Sequence, residues 1–85
     1  MGKGDIVKIA TPFGENVIGV IDSITINEIW FKMYYYNNAL FIYRGFVKKY
    51  TILDITPEEI DLFKNQLLSK GYSYDDETKT IIHEL

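Results

Sequence analysis

The chain has 85 residues, enough for one domain, and its 47% apolar and 15% aromatic residues exclude a mainly disordered protein. It contains no cysteine, which excludes disulfide bonds and thiolate chemistry within this sequence. The net charge is −3 and is unevenly distributed, because residues 1–50 are mildly basic and residues 51–85 are acidic. Acidic surfaces repel nucleic acid.

No apolar run is long enough to cross a bilayer, and residues 1–5 lack the apolar stretch of a signal peptide. We therefore expect a cytoplasmic protein that does not associate with membranes. A single domain is expected over residues 1–85. It consists of a sheet region, residues 1–55, and a region of one helix and short strands, residues 56–85.

Two strands are predicted near the start of the chain. Residues 5–10 form the first, and residues 11–16 contain the Pro, Gly and Asn of a loop. Residues 17–26 are rich in β-branched side chains and form the second. Gly19 inside this strand predicts a bulge or sharp bend. Apolar residues on both of its faces predict a strand that changes the side it buries.

Aromatic residues dominate the next predicted strands. A tight turn at Asn27-Glu28 leads into residues 29–36, and Asn37-Asn38 predicts a hairpin because Asn tolerates positive φ. Residues 39–44 form the fourth strand. After Gly45, residues 46–53 continue either as a fifth strand or as the far side of a bulge. These strands predict a strongly bent antiparallel meander or a small barrel, whose closure removes exposed edges.

The clearest local signal is the segment Thr56-Pro57-Glu58-Glu59, a capping box with proline at the first helical position. It predicts a helix over about 57–70 that ends at Gly71, with one apolar stripe made of Ile60, Phe63 and Leu67. Residues 72–74 and 80–82 predict two short strands, which either pair as a terminal hairpin or contribute one strand. The fold class is therefore α+β.

No group of residues has the pattern of a catalytic or metal site. His83 is the only histidine, and no His and Cys set has zinc spacing. The acidic run Asp75-Asp76-Glu77 lacks the spacing and central glycine of a calcium loop, and turn formation explains it better. We therefore expect no enzymatic activity, no metal, no cofactor and no small-molecule substrate.

Aromatic and cationic residues interleave between Trp30 and Tyr50, a pattern that suits binding. Alternate residues of a strand face opposite sides, so one set is exposed unless the helix and the terminal strands cover it. Exposed aromatic residues beside cations anchor protein interfaces or stack on bases. The residues predicted for this surface are Trp30, Tyr34, Tyr36, Tyr43, Arg44, Lys48 and Lys49.

Two parts of the chain resemble known families. Residues 4–9, Gly14 and residues 19–21 follow one another as a strand, a glycine loop and a returning strand. This order resembles the KOW-type motif of SH3-like barrels in ribosomal and transcription proteins, over about a quarter of the chain, and it implies a small barrel. Glu15 stands where basic residues are usual in that family. The resemblance therefore supports the barrel fold more strongly than it supports RNA binding.

In the last third, residues 56–59, 62–63, Leu67, 71–72 and 78–79 resemble a helix-and-tail segment of small uncharacterised proteins of Bacteroidetes phages and prophages. An SH3-like barrel often precedes that segment. The resemblance implies a phage or mobile-element origin and the host cytoplasm. The first hypothesis is a binding module for a protein partner or a second copy, with inhibition of a host factor as one form. The alternative is a nucleic-acid-binding barrel that uses aromatic and cationic residues of the third to fifth strands.

Overall fold

The computed structural model describes residues 2–83 as an α+β fold with one large sheet, one helix and a separate hairpin. The sheet contains β1 (Ile6–Ala10), β2 (Asn16–Ile24), β3 (Glu28–Tyr36), β4 (Ala39–Phe41), β5 (Gly45–Lys48) and β6 (Thr51–Leu53). The remaining elements are α1 (Pro57–Ser69), β7 (Tyr72–Asp75) and β8 (Thr80–His83). The predicted combination of an antiparallel meander, one helix and a terminal hairpin is confirmed.

The sheet has the strand order β4-β3-β2-β1-β6, and all of its pairs are antiparallel. The strand β3 pairs twice along one edge, with β5 beside Glu28–Phe31 and with β4 beside Tyr34–Tyr36. Within residues 2–83, β5 and β6 do not pair with each other, so the sheet is open between them.

The bulges of β2 and β3 lie at Asp22 and Lys32, which have no Cα partner in the ladder between these strands. Gly19, where a bulge or sharp bend was predicted, pairs with Tyr34, so the bulge does not lie at this residue. The glycine is required there for a different reason. The ring of Phe31 lies directly over it, and a side chain at position 19 would collide with that ring.

The predicted strand over 46–53 is broken at Lys49, whose φ of +54° cannot continue a strand. Its two halves become β5, which pairs with β3, and β6, which pairs with β1. The fourth strand is also shorter than predicted, because residues 42–44 form an exposed connection. Residues 46–53 are therefore neither a single fifth strand nor the far side of a bulge, because they divide between two strands with different partners.

The turn between β2 and β3 lies earlier than the predicted Asn27-Glu28. The N–H of Thr25 donates to the carbonyl of Glu28 at 2.9 Å, and the Thr25 hydroxyl accepts from the Glu28 N–H at 3.0 Å. These bonds place Ile26 at the tip of the turn, where it is 97% exposed. The second hairpin follows its prediction, since Asn37 and Asn38 have φ of +52° and +61°.

Apolar side chains form two clusters, one on each face of the sheet. The strand β2 contributes to both, because Val17 and Ile21 face one cluster while Ile18 and Val20 face the other. This explains its apolar residues on both faces, which were wrongly interpreted as a change of buried side. The inner cluster is completed by Val7, Ile9, Ile29 and Phe31, and the outer one by Met33, Phe63 and Leu67.

The helix covers the outer cluster and begins at the predicted capping box. The Thr56 hydroxyl accepts from the Glu59 N–H at 3.2 Å, and the Glu59 carboxylate accepts from the Thr56 N–H at 3.1 Å. The same carboxylate lies 2.8 Å from Lys8 Nζ, which ties the helix to β1. The helix ends as predicted before Gly71, which has φ of +83°.

The terminal hairpin of β7 and β8 contacts the start of the chain through a hydrogen bond and an ion pair. The Tyr74 hydroxyl donates to the carbonyl of Gly4 at 2.6 Å, and Lys79 Nζ lies 2.7 Å from Asp5. The hydrogen bond from Lys79, followed by that from the Gly2 N–H, lowers the pKa of Asp5. Among the described residues, no helix is long and apolar enough to span a membrane.

Candidate functional site

An open groove of about 450 Å³ lies on the inner face of the sheet. Four parts of the chain line it: the loop between β1 and β2, Val17 of β2, aromatic side chains of β3, and the whole of β5. Because most of the lining is apolar, we call this site the aromatic groove. Its lining residues are Thr11, Pro12, Phe13, Val17, Phe31, Tyr34, Tyr36, Gly45, Phe46, Val47 and Lys48.

The aromatic residues of β3 share one face because of the bulge at Lys32. Phe31, Tyr34 and Tyr36 all pack with the inner cluster, which a regular alternation along the strand would not allow. The ring of Tyr34 packs against Gly45 of β5, where a Cβ atom would lie 2.6 Å from Tyr34 Cε1. A glycine at the start of β5 therefore lets the tyrosine ring fill the corner of the groove.

The loop between β1 and β2 places a phenylalanine at the rim of the groove. The Thr11 N–H donates to the carbonyl of Glu15 at 2.9 Å, and the Thr11 carbonyl accepts from the Gly14 N–H at 3.1 Å. Gly14 has φ of +83°, which glycine adopts without strain. This tight path leaves Phe13 86% exposed.

The polar groups of the groove are few. Partial burial raises the pKa of Tyr34, and within residues 2–83 its hydroxyl has no hydrogen-bond partner. A hydrogen bond to the Glu15 carboxylate raises the pKa of Tyr36. Among the described lining residues, Lys48 is the only charged one, and its side chain is 66% exposed and 3.9 Å from Glu28.

A second cluster, the cation–aromatic stack, involves the side of β3 opposite Phe31. The rings of Trp30 and Phe46 stack with centroids 4.5 Å apart. The Arg44 guanidinium lies 4.6 Å from the Trp30 ring, and Lys48 Nζ lies 5.9 Å from the Phe46 ring. Both aromatic rings therefore already have contacts within the protein.

The residues predicted for one binding surface fall into separate places. Tyr34, Tyr36 and Lys48 line the aromatic groove, whereas Trp30 and Arg44 belong to the cation–aromatic stack. The remaining two lie nearby. Tyr43 is 62% exposed and packs edge-on against Phe41, which stacks on Tyr34, and Lys49 forms the bend after β5.

Sequence reasoning missed two contributors to the groove. Phe13 is predicted only as part of a loop, and its position between Pro12 and Gly14 indicates a surface turn but not a contact with the groove. Phe46 belongs to the aromatic stretch between Trp30 and Tyr50 but is not among the residues predicted for the binding surface. Its position in the lining depends on the pairing of β5 with β3, which local sequence does not reveal.

Comparisons with protein-family models, with curated protein sequences and with solved structures found no match to this chain.

Proposed function

We propose that this protein is a non-catalytic binding module that engages a protein partner through the aromatic groove. The observation that carries the proposal is the apolar groove of about 450 Å³ with Phe13 standing 86% exposed at its rim. Burial of aromatic side chains supplies much of the binding free energy at protein interfaces. The free Tyr34 hydroxyl and the Lys48 ammonium group add a hydrogen bond and a charge to an otherwise apolar site.

The contacts of Arg44 and Trp30 favour a protein over the alternative, a nucleic acid. Arg44 Nε donates to Asp22 at 2.7 Å, so its charge is already balanced. Trp30 contacts Arg44 on its ring and stacks on Phe46, so it offers a base little free surface. Nucleic-acid binders need free cations along the phosphate path and free aromatic faces.

We further propose that the sheet is an open form of an SH3-like barrel. The support is the order β6-β1-β2-β3-β5, in which two successive strands pair with opposite ends of the meander. The chain reverses between these strands at Lys49. A phage or mobile-element origin, a cytoplasmic location and inhibition of a host factor remain predictions from the resemblances.

The proposed function is tested with two matched variants. Phe13→Ser and Ile26→Ser each remove an exposed apolar side chain from a loop tip, and Phe13 alone lines the groove. The immobilised wild type and both variants are used to capture proteins from a lysate of the source cells. We expect one partner that binds the wild type and Ile26→Ser and is lost at least tenfold with Phe13→Ser. Equal capture by all three proteins contradicts the proposal.

A further inference from the structure

The aromatic groove runs along a free strand edge. All four residues of β5, from Gly45 to Lys48, line the groove, although alternate side chains of a strand point to opposite faces. Consecutive lining residues therefore indicate that the edge of the strand, and not one of its faces, borders the groove. Within residues 2–83, β5 pairs with β3 alone, so its other edge carries no strand.

The hydrogen bonds around the strand identify which backbone groups face that edge. The Lys49 N–H donates to the carbonyl of Asn27 at 3.3 Å, in continuation of the ladder between β5 and β3. In an antiparallel ladder, every second residue directs its N–H and C=O to the same neighbour. The backbone N–H and C=O groups of Gly45 and Val47 therefore point toward β3. Those of Phe46 and Lys48 point toward the groove.

The turn before β3 supports the same assignment. The carbonyl of Glu28 accepts from the Thr25 N–H, so Glu28 directs its backbone toward β2. The next residue, Ile29, then faces β5, where its ladder partner is Val47. Both observations leave the N–H groups of Phe46 and Lys48 without a strand partner in the described part of the chain.

We propose that the groove takes an extended segment of the partner protein, which adds to the sheet as a strand along β5. This inference rests on the proposed function and specifies its ligand. In strand addition, backbone hydrogen bonds provide affinity and alternate side chains enter pockets. Alternate apolar side chains of the segment contact Tyr34, Tyr36 and Phe13, and an acidic residue at one end pairs with the exposed Lys48 ammonium group.

The test uses a displayed library of random linear peptides of about 12 residues, selected on the wild-type protein. We expect selected peptides to share apolar residues at every second position and an acidic residue at one end. Failure to select any peptide, or a consensus without this alternation, overturns the proposal. A consensus with helical spacing of three and four residues also overturns it, because a helix cannot pair with a strand edge.

Two variants of the protein isolate the backbone group. Phe46→Ala and Phe46→Pro both remove the aromatic ring, but only proline removes the N–H, and proline is tolerated on a strand edge that faces away from the ladder. We expect Phe46→Pro to bind the selected peptides about tenfold more weakly than Phe46→Ala. Equal affinities of the two variants overturn strand addition.

A third arm does not depend on the stability of the variants. Selected peptides are synthesised with a single N-methyl group at each backbone position in turn. We expect N-methylation to weaken binding at every second position of the peptide, because every second N–H of the added strand faces β5. A loss at every position, or at none, overturns strand addition. If Phe13→Ser still abolishes binding in that case, the proposed function stands and only the strand geometry is wrong.

Discussion

The Phe31 ring lies so close to Gly19 that a Cβ atom at position 19 would be 2.5 Å from Phe31 Cδ1. This contact joins β2 to the floor of the aromatic groove, because Phe31 both belongs to the inner cluster and lines the groove. Gly19→Ala, which adds one methyl group, therefore tests whether the contact with Gly19 fixes the position of the Phe31 ring.

Gly19→Ala is expected to lower the free energy of unfolding by about 1–3 kcal/mol, because the added methyl group overpacks a buried site. Urea denaturation followed by circular dichroism measures the change. The control is Gly2→Ala, since an added Cβ atom there has no neighbour within 4 Å. Equal stability of Gly19→Ala and the wild type contradicts the packing described here.

Thr56→Ala is expected to lower the free energy of unfolding by about 1 kcal/mol, because it removes the acceptor for the Glu59 N–H. Thr56→Ser keeps the hydroxyl and should be close to the wild type. Thermal unfolding of the three proteins measures the difference. If the serine variant loses as much stability as the alanine variant, the hydroxyl does not cap the helix.

Acid is expected to destabilise the fold through carboxylates whose pKa values are lowered, and the described residues include three: Asp5, Glu59 and Asp75, the last lowered by the Glu77 and Thr78 N–H groups. The Lys79 hydrogen bond and the Gly2 N–H lower the pKa of Asp5 from 3.8, and Lys8 and the Thr56 N–H lower that of Glu59 from 4.5. Such carboxylates stabilise the folded state above their ordinary pKa values. This stabilisation disappears as the pH falls through the folded-state pKa.

The melting temperature should therefore be steady from neutral pH down to about pH 5 and decrease below about pH 4. Asp5→Asn should be less stable than the wild type at neutral pH and should lose less stability in acid. Asp54→Asn is the control, because Asp54 has no ion pair or hydrogen bond within residues 2–83. An acid profile of Asp5→Asn as steep as that of the wild type contradicts the role of the ion pair with Lys79.

The sequence predicts best where the structure is local. The capping box needs only Thr56 and Glu59, three positions apart on the chain, and the hairpin at Asn37-Asn38 needs only residues that tolerate positive φ. The break at Lys49 was not predictable in this way. A lysine carries no preference for positive φ, and the bend is imposed by pairing of the flanking strands with β3 and β1.

The candidate site was predicted in part for the same reason. The aromatic density of β3 directed attention to Tyr34 and Tyr36, which do line the groove. The unpaired Lys32 then shifts the alternation, so Trp30 lies apart from these two tyrosines despite having the same parity. A bulge depends on the partner strand, and no property of residue 32 alone indicates it.

The protein is not expected to bind nucleic acid. A labelled single strand of about 20 nucleotides should not shift in a gel at about 50 mM salt, because Arg44 is paired with Asp22 and the Trp30 ring is already stacked. A double-stranded oligonucleotide of the same length serves as a second probe. A shift that weakens steeply with added salt would favour the nucleic-acid alternative over a protein partner.

A titration of the ¹⁵N-labelled protein with a selected peptide tests whether the aromatic groove is the binding surface. We predict that amide chemical shifts change for Thr11 and Phe13, for Tyr34 and Tyr36, and along Gly45–Lys48, while those of residues 58–69 in the helix stay unchanged. Changes confined to the helix or to the turn at residues 25–27, with the groove amides unaffected, would contradict binding in the groove.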